Sequence, residues 1–337
     1  MVRSRLLNAL LEAVFRNITS LGAGLILLVA ANAIQSGSFT VGDFVLFAFY
    51  LGAINETVHI IGMTMTELRQ ARVSFARLAA MVQDAPVTTL VTHGPVYQIG
   101  RLPTVVHPVK TASDQLNLLE VRDLSYRYPS SGRGIDKISF TLPRGSLTII
   151  TGEVGAGKTT LLKVLLGLLP CDSGEIDWNG ERVADPATFL VPPRAAYTAQ
   201  VPRLFSDTLQ ENILLGRPAT ESELAHAIQT VVLTPDIAHL AQGLATRVGP
   251  RGVKLSGGQV QRAAAARMLV RNTELLVFDD LSSALDVETE QLLWERLRQK
   301  GATVLAVSHR PLALRYADQV ITVERGKRVM ERDLNAT

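Results

Sequence analysis

The stretch that decides the fold of this chain reads Gly152-Glu153-Val154-Gly155-Ala156-Gly157-Lys158-Thr159. An apolar pattern typical of a buried strand, Ser146–Thr151, precedes it, and an apolar helical pattern, Lys158–Leu169, follows it. Further strand patterns near 274–278, 303–307 and 319–323 alternate with helical ones. This alternation predicts an α/β fold with a parallel sheet.

The residue types of this loop suit a nucleoside triphosphate, because the loop has the P-loop form GxxxxGK[ST]. Glycines let backbone N–H groups close on phosphates at a helix N-terminus, which already favours anions. We expect Lys158 to reach the β and γ phosphates and the Thr159 hydroxyl to ligate Mg²⁺. A glycine-rich turn with a solvated lysine is the alternative, which the strand-loop-helix context disfavours. The predicted nucleotide-binding loop is Gly152–Thr160.

Two further motifs follow at a distance, Leu255-Ser256-Gly257-Gly258-Gln259 and Leu275-Leu276-Val277-Phe278-Asp279-Asp280. Asp279 closes an apolar strand, where a carboxylate can meet Mg²⁺ at the edge of a parallel sheet. The first motif stands where a helix begins, so it offers a capping hydroxyl and free N–H groups to a phosphate. A plain helix cap is the alternative interpretation.

The order and spacing of these three motifs resemble the ATPase domain of ABC transporters. The resemblance implies ATP and Mg²⁺ as ligands and a fold with antiparallel β and helical subdomains, the helical one at about 201–271. It also implies a dimer in which the signature motif of one chain, Ser256, Gly257, Gly258 and Gln259, contacts the ATP held by the P-loop of the partner.

Further positions match the family pattern. Tyr128 resembles the aromatic residue that stacks on adenine, with Tyr126 as a competing candidate and a core tyrosine as the alternative. Gln200, after the strand pattern at 195–199, resembles the glutamine that touches Mg²⁺ and the attacking water. His309 follows a strand and resembles the switch histidine at the γ-phosphate. Asp286 matches a family segment that crosses the dimer interface.

The chain departs from the exporter pattern at Asp280, where the family usually has a glutamate that polarises the attacking water. One methylene is missing, which draws the carboxylate back by about one C–C bond. Misplacement on this scale costs on the order of 10²-fold in rate. The substitution predicts the degenerate half of a heterodimer, although the presence of His309 argues in the other direction. A second departure is Thr246–Gly252, where Arg247 and Pro250 replace two acidic residues of the family.

The N-terminal third is apolar. No charged residue lies between Arg16 and Asp43, and the two mostly apolar stretches, Ile18–Ile34 and Phe44–Thr66, are each predicted to cross a bilayer. The segment Ser38–Leu78 resembles the sixth transmembrane helix of ABC exporters. The family core has six such helices, so we expect the chain either to be cut short or to be completed by another polypeptide.

Arginines set the expected orientation of these spans. They precede the first span (Arg3, Arg5, Arg16) and follow the second (Arg69, Arg72, Arg77), which places both ends in the cytoplasm. A signal peptide with an A-x-A site at Ala31–Ala33 is the alternative. Glu56 and His59 share one face of the second span, which indicates either a functional site or mutual neutralisation.

The predicted organisation is two transmembrane helices in residues 1–83, a proline-containing linker in 84–118 and the ATPase domain in 119–337. The expected partners are a second ABC half transporter, either an identical copy or, as Asp280 favours, a different chain, together with the lipid membrane and an unknown transported substrate. The net charge of +3 and the lack of a basic-aromatic patch argue against nucleic acid. An ATP-binding regulatory subunit and a truncated, inactive remnant remain as alternatives.

Overall fold

The computed structural model describes residues 21–22, 24–26, 28–31, 33–82, 86–94 and 108–333. The chain divides into two compact units, Met1–Pro103 and Thr104–Thr337. The arginines at positions 3, 5 and 16, the start of the first predicted span and residues 84–85 and 95–107 of the predicted linker lie outside the described residues.

A single long helix, α1 (Val41–Met81), dominates the described part of the first unit. It begins at a capping box in which the Asp43 N–H donates to the Thr40 hydroxyl (3.2 Å) and the Thr40 N–H donates to the Asp43 carboxylate (3.1 Å). No residue of α1 is buried. By length and composition, it is long and apolar enough to cross a membrane, and no other helix of the described residues meets that test. Described residues between 21 and 35 are also helical.

The second unit begins with an antiparallel sheet. Its four strands are β1 (Leu118–Arg127), β2 (Gly134–Pro143), β4 (Ser173–Trp178) and β5 (Glu181–Arg182), in the order β2-β1-β4-β5. The turn between β4 and β5 is made by Asn179 and Gly180, which both have positive φ (56° and 82°), as a two-residue hairpin turn requires.

The main sheet has six strands in the order β10-β9-β3-β8-β7-β6. Five of them are parallel, and β10 pairs antiparallel with β9. The strands are β3 (Leu147–Thr151), β6 (Ala195–Thr198), β7 (Leu275–Asp279), β8 (Thr303–Val307), β9 (Gln319–Glu324) and β10 (Lys327–Asp333). The sequences of β3, β7 and β8 are nearly continuous apolar runs, because these strands are almost completely buried. The predicted α/β fold is confirmed.

Helices connect these strands: α2 (Lys158–Leu165), α3 (Pro186–Phe189), α4 (Leu209–Leu214), α5 (Glu221–Thr230), α6 (Thr234–Ala238), α7 (Gly257–Leu269), α8 (Val287–Gln299) and α9 (Pro311–Tyr316). Helices α4 to α7 fall in the range predicted for the helical subdomain. The helix α2 ends four residues earlier than its apolar pattern predicted, because Gly167 adopts a left-handed φ of 68°.

The segment just before β1 packs against the rest of the second unit. Asp114 and Leu116 are buried in the second unit, at 5% and 0% exposure. The Arg194 guanidinium lies 2.8 Å from the Asp114 carboxylate, and the Leu116 N–H donates to Glu274 over 2.9 Å. Proline spacing and weak periodicity could not reveal these contacts, because both partners are distant in sequence.

Candidate active site

The P-loop turns between β3 and α2 on glycines that other residues cannot easily replace. Gly152, Gly155 and Gly157 have φ values of 137°, 83° and 104°. A Cβ on Gly152 would overlap the carbonyl oxygen of Val323, and one on Gly157 would lie 3.1 Å from the carbonyl oxygen of Gly134. The loop therefore presses its backbone against β9 and β2.

The side chains of the P-loop differ in their exposure to solvent. Val154 is 98% exposed, Glu153 is also exposed, and Ala156 is buried. The Glu153 carbonyl accepts from the Ala156 N–H over 3.1 Å, and Ala156 packs into the core that also contains Leu161 and Ile135.

Lys158 is more enclosed than the sequence suggested. Its side chain is only 7% exposed, and its Nζ donates to the carbonyl oxygens of Gly152 and Glu153, over 2.8 Å each. Burial lowers the pKa of the lysine, against the opposing effect of Asp279 and Asp280. The alternative of a solvated lysine, which the sequence context disfavoured, is wrong, since this lysine is buried and ties the loop to itself.

Thr159 and Asp279 meet directly. The Thr159 hydroxyl donates to the Asp279 carboxylate over 3.0 Å, although the two residues come from separate motifs. Asp279 is 4% exposed, and burial raises its pKa, helped by the charge of Asp280 and opposed by the Thr159 hydrogen bond. A hydroxyl beside a carboxylate is a donor set that Mg²⁺ accepts. Within the described ranges, no group of three or more His, Cys, Asp or Glu side chains could hold a metal ion.

Tyr197, on the neighbouring strand β6, encloses this carboxylate. Burial, with a contribution from Asp279, raises the pKa of Tyr197 to about 12. Within the part of the chain that the structure describes, its buried hydroxyl has no hydrogen-bond partner of normal geometry, although it lies near enough to Asp279 for each to affect the pKa of the other. The Asp279 carboxylate is therefore largely shielded from water.

Gln200 and Asp280 form a second pair. The Gln200 Nε2 donates to the Asp280 carboxylate at a long 3.4 Å. Asp280 has a left-handed φ of 62°, a conformation that aspartate adopts more readily than most residues. Its N–H donates to the Val307 carbonyl over 3.1 Å. Since Asp279 and Asp280 are consecutive, this pair adjoins the Thr159–Asp279 pair.

His309 reaches the same edge of the sheet. Strand β8 pairs with β7 so that Val307 stands opposite Asp279, and His309 follows two residues later. The imidazole is exposed. The structure thus places His309 beyond the carboxyl ends of the parallel strands, where α/β folds bind ligands.

A cavity of about 860 Å³ opens beside the P-loop. Tyr128, Lys158, Thr159 and Thr160 line it, and the Tyr128 and Thr160 hydroxyls are 3.5 Å apart. Tyr126 is buried at 6% exposure and packs edge-to-face against Tyr128, with ring centroids 5.0 Å apart. Between the two candidates, Tyr126 is thus the core tyrosine and Tyr128 faces the cavity.

The turn between β9 and β10 also lines this cavity, and sequence reasoning missed it. Arg325, Gly326 and Lys327 contribute to the wall, together with Arg127 and Arg133 of the antiparallel sheet. The Gly326 N–H donates to the Ala156 carbonyl over 2.8 Å, which joins the turn to the P-loop. Counting Lys158, five cationic side chains and one carboxylate, that of Asp136, line the cavity, which suits a polyanion. The sequence signal was an arginine-glycine turn, which is too common to single out.

The signature motif begins α7. Ser256 is the N-cap, and Ser256 and Gln259 form a capping box, in which the Gln259 N–H donates to the Ser256 hydroxyl (3.2 Å) and the Ser256 N–H donates to Gln259 Oε1 (2.8 Å). Ser256 and Gly257 are exposed, and Gly258 is buried. Ser256 therefore caps the helix, and the other N–H groups of its first turn lie at an N-terminus that is exposed to solvent.

Asp236 supports this N-terminus and was not identified from the sequence. Its carboxylate accepts from Gln259 Nε2 over 2.9 Å and from the Arg262 guanidinium over 2.6 Å. Arg262 is 7% exposed, so the ion pair is largely buried. A lone aspartate in a mostly helical pattern gave no signal that it would hold the signature helix.

Comparisons with known proteins agree with this geometry. Residues 135–283 match the family model described as ABC transporter. The chain is 32% identical over 314 residues to the Multidrug resistance-like ATP-binding protein MdlA of Escherichia coli (strain K12), a match covering 92% of this chain and 49% of that protein. It is also 32% identical over 292 residues to the Probable multidrug resistance ABC transporter ATP-binding/permease protein YheI of Bacillus subtilis (strain 168), covering 85% and 47%.

A solved structure extends the similarity beyond the family model. It is described as the structure of a bacterial Atm1-family ABC exporter with ATP bound, with a TM-score of 0.63 and 28% identity, over 93% of this chain and 53% of that chain. The chain spans about half the length of the relatives that it matches. It therefore carries an ABC transporter ATP-binding domain, and its relatives are ABC exporter ATP-binding/permease proteins.

Proposed function

We propose that this chain is an ATP-binding and ATP-hydrolysing subunit of an ABC exporter. The hydrogen bond between Thr159 and Asp279 is the observation that carries the proposal, because it unites the P-loop and the strand β7 in one oxygen-rich site. The glycine backbone and the basic cavity wall fit a nucleoside triphosphate. Bound Mg²⁺ would neutralise phosphate charge there.

Each residue has a distinct role in this proposal. Lys158 supplies positive charge to the phosphates, and Thr159 and Asp279 hold Mg²⁺, with Gln200 as a further ligand. Tyr128 offers a ring face to the adenine. Asp280, Gln200 and His309 act on the attacking water at the carboxyl edge of the sheet.

The signature motif acts on a second nucleotide. Ser256, Gly257, Gly258 and Gln259 present an exposed helix N-terminus, which favours phosphate. We infer a dimer with a second half transporter in which this N-terminus completes the ATP site of the partner. The partner is either a second copy or, because of Asp280, a different chain.

The helix α1 anchors the ATPase in a membrane. It is apolar over an 18-residue window with a mean hydropathy of 1.6 and has no buried residue, so its surface suits lipid or other helices. We propose a multi-pass membrane location with the ATPase domain in the cytoplasm. Glu56 and His59 share a face of α1, and no hydrogen bond or ion pair joins them among the described contacts. The transported substrate is left open.

A regulatory subunit that binds ATP without turnover is the second candidate. It is favoured by the short side chain of Asp280 and by its long 3.4 Å contact with Gln200. A shorter carboxylate reaches less far towards a phosphate-bound water.

The test is Mg²⁺-dependent ATP binding and turnover by the full chain purified in detergent with its co-purifying partner. Binding with turnover that Asp279→Asn abolishes is the expected result. Binding with no turnover in any assembly would favour the regulatory role. Absence of ATP binding by the wild-type chain would contradict both.

A further inference from the structure

Gln261 connects three segments of the active edge. It lies on α7 about one and a half turns beyond Ser256 and is 6% exposed. Its Nε2 is within hydrogen-bond distance of the Gln200 carbonyl (3.3 Å), the Asp280 carbonyl (3.2 Å) and the Ser283 hydroxyl (3.2 Å). One side chain thus joins the signature helix to both residues of the Gln200–Asp280 pair.

Three acceptors surround an amide that has only two hydrogens. Ser283 resolves the conflict, because its own hydroxyl donates to the Asp280 carbonyl over 3.1 Å. Gln261 can then donate to Gln200 and Ser283, and Ser283 relays the contact to Asp280. The three segments form one connected network in which a shift of any member breaks a hydrogen bond of another.

The backbone of Asp280 depends on such support. Its φ of 62° lies in the left-handed region, which is maintained only where surrounding contacts impose it. On one side, the Asp280 N–H donates to the Val307 carbonyl, and on the other the Asp280 carbonyl accepts from the Ser283 hydroxyl, which in turn accepts from Gln261. The direction of the Asp280 carboxylate is therefore set partly from α7.

A filling role in the core does not explain Gln261. Its Oε1 is buried without a hydrogen-bond partner among the described residues, which is unfavourable and which an apolar side chain of similar volume would avoid. The amide donors, and not the volume, account for a glutamine at this position.

We propose that Gln261 is a positioning residue that transmits nucleotide binding at the P-loop of a chain to the signature motif of the same chain. This inference rests on the proposed function, since it gives that function a route between two ATP sites. A bound nucleotide that displaces Gln200 or Asp280 would displace Gln261 through these hydrogen bonds. Helix α7 would transmit this displacement to Ser256–Gln259.

The experiment is hydrogen–deuterium exchange on the full chain in detergent, with and without the non-hydrolysable β,γ-imido analogue of MgATP, so that it does not depend on turnover. Gln261→Met removes the donors and keeps the volume. Gln291→Met is the matched control, because Gln291 is an exposed glutamine on α8 whose side chain donates to Glu295 and lies away from the three segments that Gln261 joins. Ser283→Ala, at an exposed position, removes the relay without disturbing the core and serves as a second variant.

In the wild type, we expect the analogue to slow exchange at least threefold at residues 153–159 and at 256–260. In Gln261→Met, the analogue should still slow exchange at 153–159 but should no longer slow it at 256–260. At 256–260, Ser283→Ala should show a slowing between those of the wild type and Gln261→Met, and Gln291→Met should show the same slowing as the wild type. Slowing at 256–260 that survives in Gln261→Met, or that is absent from a wild type protected at 153–159, overturns the proposal.

A wild type with no protection at 153–159 would contradict the proposed function instead. In that case, the comparison of Gln261→Met with Gln291→Met in the absence of nucleotide tests the role of Gln261. We expect exchange around Gln200 and at 280–283 to be at least fivefold faster in Gln261→Met than in Gln291→Met. Equal rates would show that Gln261 positions neither segment.

Discussion

The P-loop and the signature motif both contain adjacent or near-adjacent glycines, but for different physical reasons. In the P-loop, Gly152, Gly155 and Gly157 have φ between 83° and 137°, which other residues rarely adopt. In the signature motif, Gly257 and Gly258 are the first residues of a regular helix. Gly258 is required by space, since a Cβ there would lie 2.7 Å from the Ala284 carbonyl.

The two motifs also differ in what completes them. The P-loop is enclosed by its own chain, through Lys158 to two loop carbonyls and through Thr159 to Asp279. In the signature motif, the Gln259 side chain accepts from the Ser256 N–H and donates to Asp236. Ser256 and Gly257 remain exposed. The P-loop is thus held in place by contacts within its own chain, whereas the signature motif presents an exposed helix N-terminus, as the proposed contact with a partner's nucleotide requires.

The largest effect is expected for Gly152→Ala. Its backbone conformation is unfavourable for alanine, and its Cβ would overlap the Val323 carbonyl oxygen, so we expect a loss of at least about 3 kcal/mol in the free energy of unfolding. Chemical denaturation of the full chain in detergent measures it.

The control is Gly155→Ala, at φ 83° with no atom within 4 Å of a Cβ. It isolates the conformational cost, which we expect to be about 1 kcal/mol. Equal losses at both positions would show that contact with β9 does not constrain the P-loop.

Lys158→Met should weaken MgATP binding by about 100-fold, equivalent to about 2.7 kcal/mol, because a charge-assisted contact to the phosphates is lost. The free energy of unfolding should change by less than about 1 kcal/mol, because relief of the burial of the cation offsets two lost hydrogen bonds. Isothermal titration and denaturation measure the two effects. Unchanged affinity would contradict the P-loop assignment.

The same variant has a pH dependence with a definite sign. Folding lowers the pKa of Lys158, so near that pKa the unfolded chain binds more protons than the folded chain. The stability of the wild type relative to Lys158→Met should therefore rise as the pH increases towards the ordinary lysine value of 10.5. A flat or falling difference would contradict the burial argument.

The signature glycines should separate stability from function. Gly258→Ala, which would crowd the Ala284 carbonyl, should cost about 1–3 kcal/mol of stability. Gly257→Ala meets only ordinary contact at 3.6 Å and should leave stability unchanged or slightly raised, because alanine favours the helix. The same Gly257→Ala should nevertheless reduce ATP turnover by the assembled dimer. Normal turnover would mean that this N-terminus does not face a nucleotide.

The smallest effect concerns Asp280→Glu, which should raise turnover about tenfold, or about 1.4 kcal/mol, by restoring the reach of the carboxylate. Asp123→Glu is the control, because Asp123 also has a positive φ, of 50°, but lies on β1 away from the site. Measurement of ATP turnover by the reconstituted pair tests this prediction. A wild-type rate that Asp280→Glu does not change would show that aspartate is an adequate base and remove the argument for a degenerate half.

The sequence predicted the elements that carry their own local signal. The strand patterns ending at Thr151 and Asp279 placed the P-loop and β7 almost to the residue, and the Thr159–Asp279 contact follows from that placement. It could not predict the burial of Lys158, which depends on how the loop folds back on itself.

Residues whose role depends on distant partners were missed. Gln261 stands before a run of alanines and reads as one more helix former, because its partners at 200, 280 and 283 meet it only when α7 packs against the sheet. Asp236 and Gly326 gave equally weak signals for the same reason. The end of α2 was misplaced because the pattern remained apolar past Gly167, whose conformation stops the helix.

The bond from the Gly326 N–H to the Ala156 carbonyl has a consequence for synthesis of the protein. A ribosome makes the P-loop long before it makes Val323 and Gly326, against which Gly152 and Ala156 come to rest. A nascent chain that has not yet released the β9–β10 turn therefore lacks one wall of its nucleotide cavity. Cellular ATP should bind and stabilise chains that have folded through that turn in preference to unfinished ones.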